Sequence, residues 1–370
     1  MKAVLPTLIV ACVAHCAPTT PSQTANAEAS EKKLEMVAEF GDQQATGVAA
    51  AKNGRIFVNF PRWSDKVRYS VAEVVSGKVT PFPDEVRNTW EPASAADRFV
   101  CVQSVVVDSA DHLWILDPAS PMFQGVVPGA AKMVEVDLAT NTVVRTIRFG
   151  ADVAPVKSYL NDVRFDRERR FGYLTDSGLG AIVVVDLANG TQRRVLAEHA
   201  STKAEKDPVS VAGQTLVVAN GDRPQVHSDG IALDPTGTWL YWHALTGRSL
   251  YRAKTADLRD ASLTPQALGA RVELVARTHP PDGMEMDASG QLFLTDIEDS
   301  AVVRLDPRAP SAPPQVVARG PQLDWPDSLA FSPDGNDLYI TASQIEHAPR
   351  FNQGVDRRTE PYRLWRLPLK

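Results

Sequence analysis

Apolar and polar positions alternate with period two through most of the chain, in short runs bounded by turn residues, which predicts β-strands rather than helices. One phrase recurs. It opens on a polar and then a small residue, continues with apolar alternation, turns on Asp, Gly or Pro, and ends in a strand rich in Leu, Tyr, Phe and Trp. The copies are GVAAAKNGRIFVNF from Gly47, QSVVVDSADHLWILD from Gln103, NDVRFDRERRFGYLTD from Asn161, DGIALDPTGTWLYWHA from Asp229, DGMEMDASGQLFLTD from Asp282 and DSLAFSPDGNDLYITA from Asp327. They start 56, 58, 68, 53 and 45 residues apart. Turns such as DPTG, DASG and SPDG place Asp or Pro early and Gly at the left-handed position, so each copy reads as a hairpin. A second alternating hairpin follows most copies, as in MVEVDLATNTVVRTIRF and AIVVVDLANGTQRRVL. Four strands repeated six times predict an all-β, six-bladed propeller.

The chain ends on one further strand, YRLWRLPLK, while KLEMVAEFG (33–41) has no blade of its own. Pairing the N-terminal strand onto the last blade would close the ring and remove an exposed edge. Ahead of it, Met1-Lys2, the apolar stretch Ala3 to Ala14 and the triplet Ala25-Asn26-Ala27 read as an export signal cleaved after Ala27. The expected organisation is a signal peptide at 1–27, a linker and closing strand at 28–44 and the propeller at 45–370, in a secreted or periplasmic protein. A lipoprotein is the alternative, because Ile9-Val10-Ala11-Cys12 resembles a lipobox; Cys16 follows a poorer one. Cleavage would leave Cys101 as the only thiol, so no internal disulfide is expected.

Composition narrows the function. Lys and Arg total 39 against 45 Asp and Glu, a net charge of −6, which speaks against a nucleic-acid partner. Beyond the N-terminus no apolar run approaches the ~20 residues of a membrane span. No CxxC pair or Cys/His cluster suggests zinc, and no organic cofactor is implied.

The repeat makes one column of residues special. The innermost strand of each propeller blade lines the central channel, so equivalent positions converge at one mouth. That column reads Gly47, Gln103, Asn161, Asp229, Asp282 and Asp327; the next reads Val48, Ser104, Asp162, Gly230, Gly283 and Ser328. Three carboxylates around one point raise one another's pKa unless a cation intervenes. A divalent cation, Ca²⁺ foremost, held by Asn161, Asp229, Asp282 and Asp327 is one solution. Direct action of the carboxylates on a substrate is another, and capping of backbone N–H groups a third. His227 and His279 precede column residues and are candidate acid/base groups beside Asp229 and Asp282. Phe60, Trp63, Tyr159, Trp242, Trp325 and Phe351 flank the column, and a mouth of aromatics and carboxylates suits a small aromatic or cationic ligand.

The phrases FVNFPRW (57–63), VVVDSADHLWILD (105–117), AKMVEVDLATNTVVRTI (131–147), YLNDVRFD (159–166), YLTDSGLGAIVVVDL (173–187), SDGIALDPTGTWLYWHALTGRSLYR (228–252) and LDWPDSLAFSPDGNDLYIT (323–341) resemble the yellow / major royal jelly protein family. The resemblance runs from about Gly47 to Leu367. It implies a six-bladed, usually secreted propeller; some insect members look like dopachrome-converting enzymes and others bind amines or sterols in the channel. Two departures stand out. The turn after Val107 lacks the Cys of eukaryotic members. The last blade reads Thr341-Ala342-Ser343-Gln344 where the family tends to read T-S-N-R, so Ser343 stands where an Asn would face the ligand. A weaker resemblance is to gluconolactonase / senescence-marker lactonases, whose metal ligands look like Glu, Asn, Asn and Asp; the matching positions here are Gly47, Asn161, Asp229 and Asp282.

The two implied functions are a propeller binding a small aromatic metabolite through Gln103, Asn161, Asp327, Ser343, Trp325 and Phe60, with dopachrome-isomerase-like proton transfer by Asp229, Asp282, His227 or His279, and a metal-dependent lactonase or esterase. A docking propeller is a third reading.

Overall fold

In the computed structural model, which describes residues 1–2 and 33–370, each recurring phrase supplies the two inner strands of one four-stranded antiparallel blade. The first blade comprises Gly47–Ala50, Ile56–Asn59, Val71–Val75 and Lys78–Pro81; the second Ser104–Val107, His112–Asp117, Lys132–Asp137 and Thr142–Arg148. The third comprises Leu160–Asp166, Phe171–Asp176, Ile182–Asp186 and Gln192–Val195; the fourth Ser228–Leu233, Trp239–Ala244, Ser249–Lys254 and Glu273–Arg277. The fifth comprises Met284–Met286, Leu292–Asp296, Ala301–Leu305 and Gln315–Arg319. The inner strands of successive blades lie side by side, and that of the last blade returns to the first, so the six-bladed ring is closed. The predicted export segment lies almost entirely in residues 3–32, outside the described residues. No helix among the described residues is long and apolar enough to cross a membrane.

The sequence pattern explains the layering. A middle strand is covered on both faces by neighbouring blades, so His112–Asp117 reads as a nearly continuous apolar run and is buried from Leu113 onward. Leu113 and Ile115 pack with Phe57, Phe82 and Val134 between the first two blades, whereas Trp114 and Leu116 point the other way, towards Leu174 and Val183 of the third. Outer strands such as Thr142–Arg148 keep polar residues on one face and stay partly exposed.

The sixth blade is built from both ends of the chain: Pro326–Phe331, Asp337–Ala342 and Arg363–Pro368, with Glu35–Glu39 as its outer strand. Met36 pairs with Trp365 and Glu39 with Arg363. Arg366 pairs with Glu35, and Arg363 approaches Glu39 at 3.0 Å. The closing strand leads into Phe40, which sits edge-on to Phe60 with ring centroids 5.3 Å apart. Phe60 is therefore a seam residue, fully buried, and not the ligand contact expected from its place beside the column.

The 68-residue spacing between the third and fourth copies also has a structural meaning. The extra length, 196–227, carries the small hairpin Ser210–Val211 and Gln214–Thr215 and brings Leu216 and Pro224–Val226 over one mouth of the channel.

Candidate functional site

The inner strands bulge where the column begins. Register shifts fall between Leu160 and Val163, between Ser228 and Ile231, and between Pro326 and Leu329. A bulge re-aims side chains and frees backbone amides. Where the second strand carries Thr, in YLTD, FLTD and YITA, its hydroxyl takes up backbone amides at the column. Thr175 Oγ1 accepts from Asp162 N at 3.3 Å and donates to Asp229 O at 2.6 Å. Thr295 Oγ1 accepts from Asp282 N and Gly283 N at 2.9 and 3.1 Å. Thr341 Oγ1 accepts from Ser328 N at 3.0 Å. The neighbouring blades approach so closely here that the second column needs glycine: a Cβ on Gly283 would lie 2.2 Å from Asp327 O, and one on Gly230 2.8 Å from Asp282 O. Gly283→Ala should therefore cost about 1–3 kcal/mol of stability, seen as a lowered denaturant midpoint with an unchanged slope.

Five of the six column positions carry side chains, and Gln103, Asn161, Asp229, Asp282 and Asp327 all line one cavity of about 200 Å³. Asn161 Nδ2 donates to Asp229 Oδ2 at 2.9 Å and to Ser177 Oγ at 3.0 Å. Trp325 Nε1 donates to Asp282 Oδ2 at 2.6 Å. Trp325 holds φ 54, in the left-handed region that a bulky residue rarely adopts, so its indole is placed against local backbone preference. Tyr159 donates to Gln103 Oε1 at 2.9 Å and accepts from Trp63 Nε1 at 2.7 Å. Asp327 Oδ2 is buried without a protein partner.

Burial dominates the electrostatics of this ring. It pushes Asp229 well above the usual carboxylate range, aided by Asp282 and Asp327. It raises Asp282 to about 7, against the opposing hydrogen bonds from Trp325 and Asp229. Asp327 is likewise raised by burial and then by Asp282. Burial and mutual repulsion together favour protons held within this ring over three separate charges.

A three-ring aromatic wall rises above the carboxyls. Trp63 stacks on Phe123 at 5.1 Å and Phe123 on Tyr159 at 5.3 Å. The Arg350 guanidinium lies 4.4 Å from the Phe123 ring centre and 4.8 Å from that of Phe351, forming a positive, solvent-facing rim.

The opposite mouth is wider, about 450 Å³, and is lined by the second column. Its central carboxylates are ion-paired: Asp162 accepts from Arg164 at 2.8 Å and from Ser104 Oγ at 2.7 Å, and Arg164 also reaches Glu285 at 3.1 Å. The smaller cavity joins buried column carboxyls, one of them with an unpartnered oxygen, to a stacked aromatic wall, which makes it the candidate site.

Several expected residues lie elsewhere. His227 does not line the cavity; its Nδ1 accepts from Ala204 N at 2.9 Å and fixes the 196–227 insertion. His279 faces outward against Asp296 at 2.9 Å, half exposed. In both, the residues between the histidine and the column Asp turn the ring away from the channel. Ser343 is buried and does not line the cavity; its Oγ donates to Trp325 O at 3.4 Å. Trp242 is core, donating to Ser201 O at 2.9 Å, and His243 is fully buried, its pKa pushed down to about 4 by burial. His112 Nδ1 lies 2.7 Å from Glu135 Oε1, away from the cavity. Sequence reading missed Phe123 and Arg350. Both sit in single 3₁₀ turns within loops, too short for a periodicity to mark a side chain's direction.

Asn161, Asp229, Asp282 and Asp327 are oxygen donors of the kind a hard divalent cation takes, and Asp327 leaves one oxygen unpartnered, but the three carboxylates are not gathered within 4.8 Å of one another. A first-blade ligand has no counterpart: a Cβ at Gly47 would stand 2.0 Å from Asn59 Oδ1.

The model of the major royal jelly protein family matches residues 100–365. The chain belongs to that family. No curated protein matches it significantly. Among solved structures, this major royal jelly protein family member is similar in fold to a gluconolactonase of Xanthomonas campestris, at 15% identity and a TM-score of 0.56, covering 92% of this chain and 90% of that one. It is also similar to regucalcin, a calcium-binding protein of Agrobacterium tumefaciens, at 14% identity and a TM-score of 0.54 over 91% and 93% of the two chains. A luciferin-regenerating enzyme matches at 11% identity and a TM-score of 0.54 over 91% and 95%. At these identities the likeness is one of fold.

Proposed function

We propose that this protein is an exported propeller that binds one small aromatic metabolite in the axial cavity, an amine or other proton donor directed at the carboxyl ring. The observation that carries this reading is the coincidence of the Asp229–Asp282–Asp327 ring with the Trp63–Phe123–Tyr159 wall in one cavity. An ammonium or N–H group would satisfy the open oxygen of Asp327 and relieve the repulsion between buried carboxyls. The aromatic body would stack on the wall, and Arg350 would meet an acidic substituent at the rim. The shared proton of Asp229 and Asp282 equips the same cavity for tautomerisation: Asp282 accepts a proton from one ligand atom while Asp229 returns one to another. Dopachrome-like conversion is the reaction class to assay.

A binding panel tests the reading. An aromatic amine, the matching neutral aromatic and an aliphatic amine are titrated against intrinsic tryptophan fluorescence. The aromatic amine should bind at least about tenfold more tightly than either fragment, because each lacks one half of the recognition. Equal affinities for all three would remove the proposal.

The second reading is a cation-dependent lactonase or esterase, favoured by the orphaned Asp327 oxygen and the oxygen donor set. Asn161, Asp229, Asp282 and Asp327 would hold the ion, which supplies polarisation of a carbonyl when bound. Ca²⁺ that stabilises the wild type but not Asp327→Asn, together with turnover of a lactone, would move the assignment to this reading.

A further inference from the structure

Beyond the axial cavity, a second cluster of ligating groups lies at the outer edge of the same mouth. Asp324, Glu346 and His347 each bring one ligand atom within 4.8 Å of the others. His347 Nε2 is 3.3 Å from Asp324 Oδ2 and 3.8 Å from Glu346 Oε1. The Glu346 side chain is only 9% exposed, and its Oε2 is buried with no hydrogen-bond partner. An orphaned carboxylate oxygen beside a second carboxyl and an imidazole needs a proton or a cation among them. Asp324 and His347 stay about one-third exposed, so the cluster is open to ions and water from outside.

The surrounding backbone holds the three groups in place. Gln344 N donates to Asp324 O at 3.1 Å, tying the two segments together just ahead of Glu346. Asn352 Nδ2 donates to Glu346 O at 2.7 Å, and Arg357 N to His347 O at 2.9 Å.

We propose that Asp324, Glu346 and His347 form a site for a first-row divalent cation, Zn²⁺ or Mn²⁺, completed by water. One imidazole nitrogen with two carboxylates is a donor set for such ions, whereas the all-oxygen axial ring suits Ca²⁺. Position gives the site its consequence. Asp324 precedes Trp325, the donor to Asp282, and Glu346–His347 lie between Ile345 and Arg350–Phe351, all lining the axial cavity. An ion here pins the roof of the cavity to the corner that aims Trp325. It is a positioning site, apart from the carboxyl ring.

The test uses tag-free, full-length protein stripped with chelator and titrated with Zn²⁺ by calorimetry, with bound metal counted by elemental analysis. The wild type should take up one Zn²⁺ per chain and melt higher with it. His347→Gln and Glu346→Gln should each bind at least about tenfold more weakly and lose the Zn²⁺-dependent rise. Asp229→Asn, in the axial ring, and His279→Ala, in the surface cluster with Asp296, should bind Zn²⁺ as the wild type does. Absence of micromolar binding in the wild type overturns the proposal and leaves a proton between the carboxyls. So does binding that survives His347→Gln or disappears in Asp229→Asn. A His347→Gln protein that folds poorly does not blur the result, because the wild-type stoichiometry and the Glu346→Gln variant each stand alone.

Discussion

A chain lacking Lys33–Gly41 is expected to melt on the order of 10 °C below one that begins at Lys33, or to fail to accumulate as soluble protein. The deletion removes the whole outer strand of the sixth blade and its pairs with Arg363, Leu364, Trp365 and Arg366. It also removes Phe40, 3% exposed, whose burial contributes roughly 1.5–3 kcal/mol, and with it the edge contact that covers Phe60. The strand Arg363–Pro368 becomes an open edge with unpaired backbone groups, a template for association. Because the ring is closed by this one strand, the loss should appear as a single cooperative transition at lower temperature, measured by scanning calorimetry. A deletion that melts within about 2 °C of its parent would mean that the ring does not depend on this closure.

The second large effect is a trade of function against stability at Asp282. Burial raises its folded-state pKa to about 7, above the ordinary carboxylate value of 3.8. A raised pKa means that the folded protein binds more protons than the unfolded chain between those two values. The stabilising contribution is complete below the lower value and is lost as pH rises through the upper one. The ligand-free propeller should therefore lose stability between pH 4 and 7 through this group, and Asp282→Asn should flatten that part of the profile. At pH 8 the variant should melt a few degrees above the wild type, since it no longer confines a charge beside Asp229 and Asp327. The same substitution removes the negative charge that would stabilise an ammonium group seated against the neighbouring Asp327 oxygen. Amine affinity in the wild type should rise as pH passes through 7, while the variant binds weakly at every pH. Thermal melting of both proteins across pH 4–8 gives the stability half; an unchanged pH slope in Asp282→Asn would show that another group governs it.

The fold was legible because a propeller repeats its own evidence. Period-two alternation and Asp/Gly turns identify a hairpin once, and six copies identify a ring, even with spacings from 45 to 68 residues. The axial column was legible for the same reason: alignment on the turns carried Gln103, Asn161, Asp229, Asp282 and Asp327 to one cavity. Alignment says nothing about residues one or two places outside the strand. His227 and His279 each precede a column Asp closely in sequence, yet one ring supports a loop and the other faces solvent. Residue type cannot sort aromatics either. Phe60 and Trp242 went to the core, and Trp63, Tyr159, Trp325 and Phe351 to the cavity, because packing between blades and stacking on a ligand favour the same side chains. Phe123 and Arg350 depend on loop conformation, which no local pattern encodes.

The central claim is that the carboxyl ring and the aromatic wall form one ligand site. Isothermal titration of an aromatic amine into the wild type and into Asp282→Asn, at pH 8 in the same buffer, tests it most directly. The account predicts one site per chain in the wild type and an affinity lower by at least about tenfold in the variant, a loss of roughly 1.4 kcal/mol or more. Equal affinity in the two proteins would place the amine outside the ring and contradict the assignment.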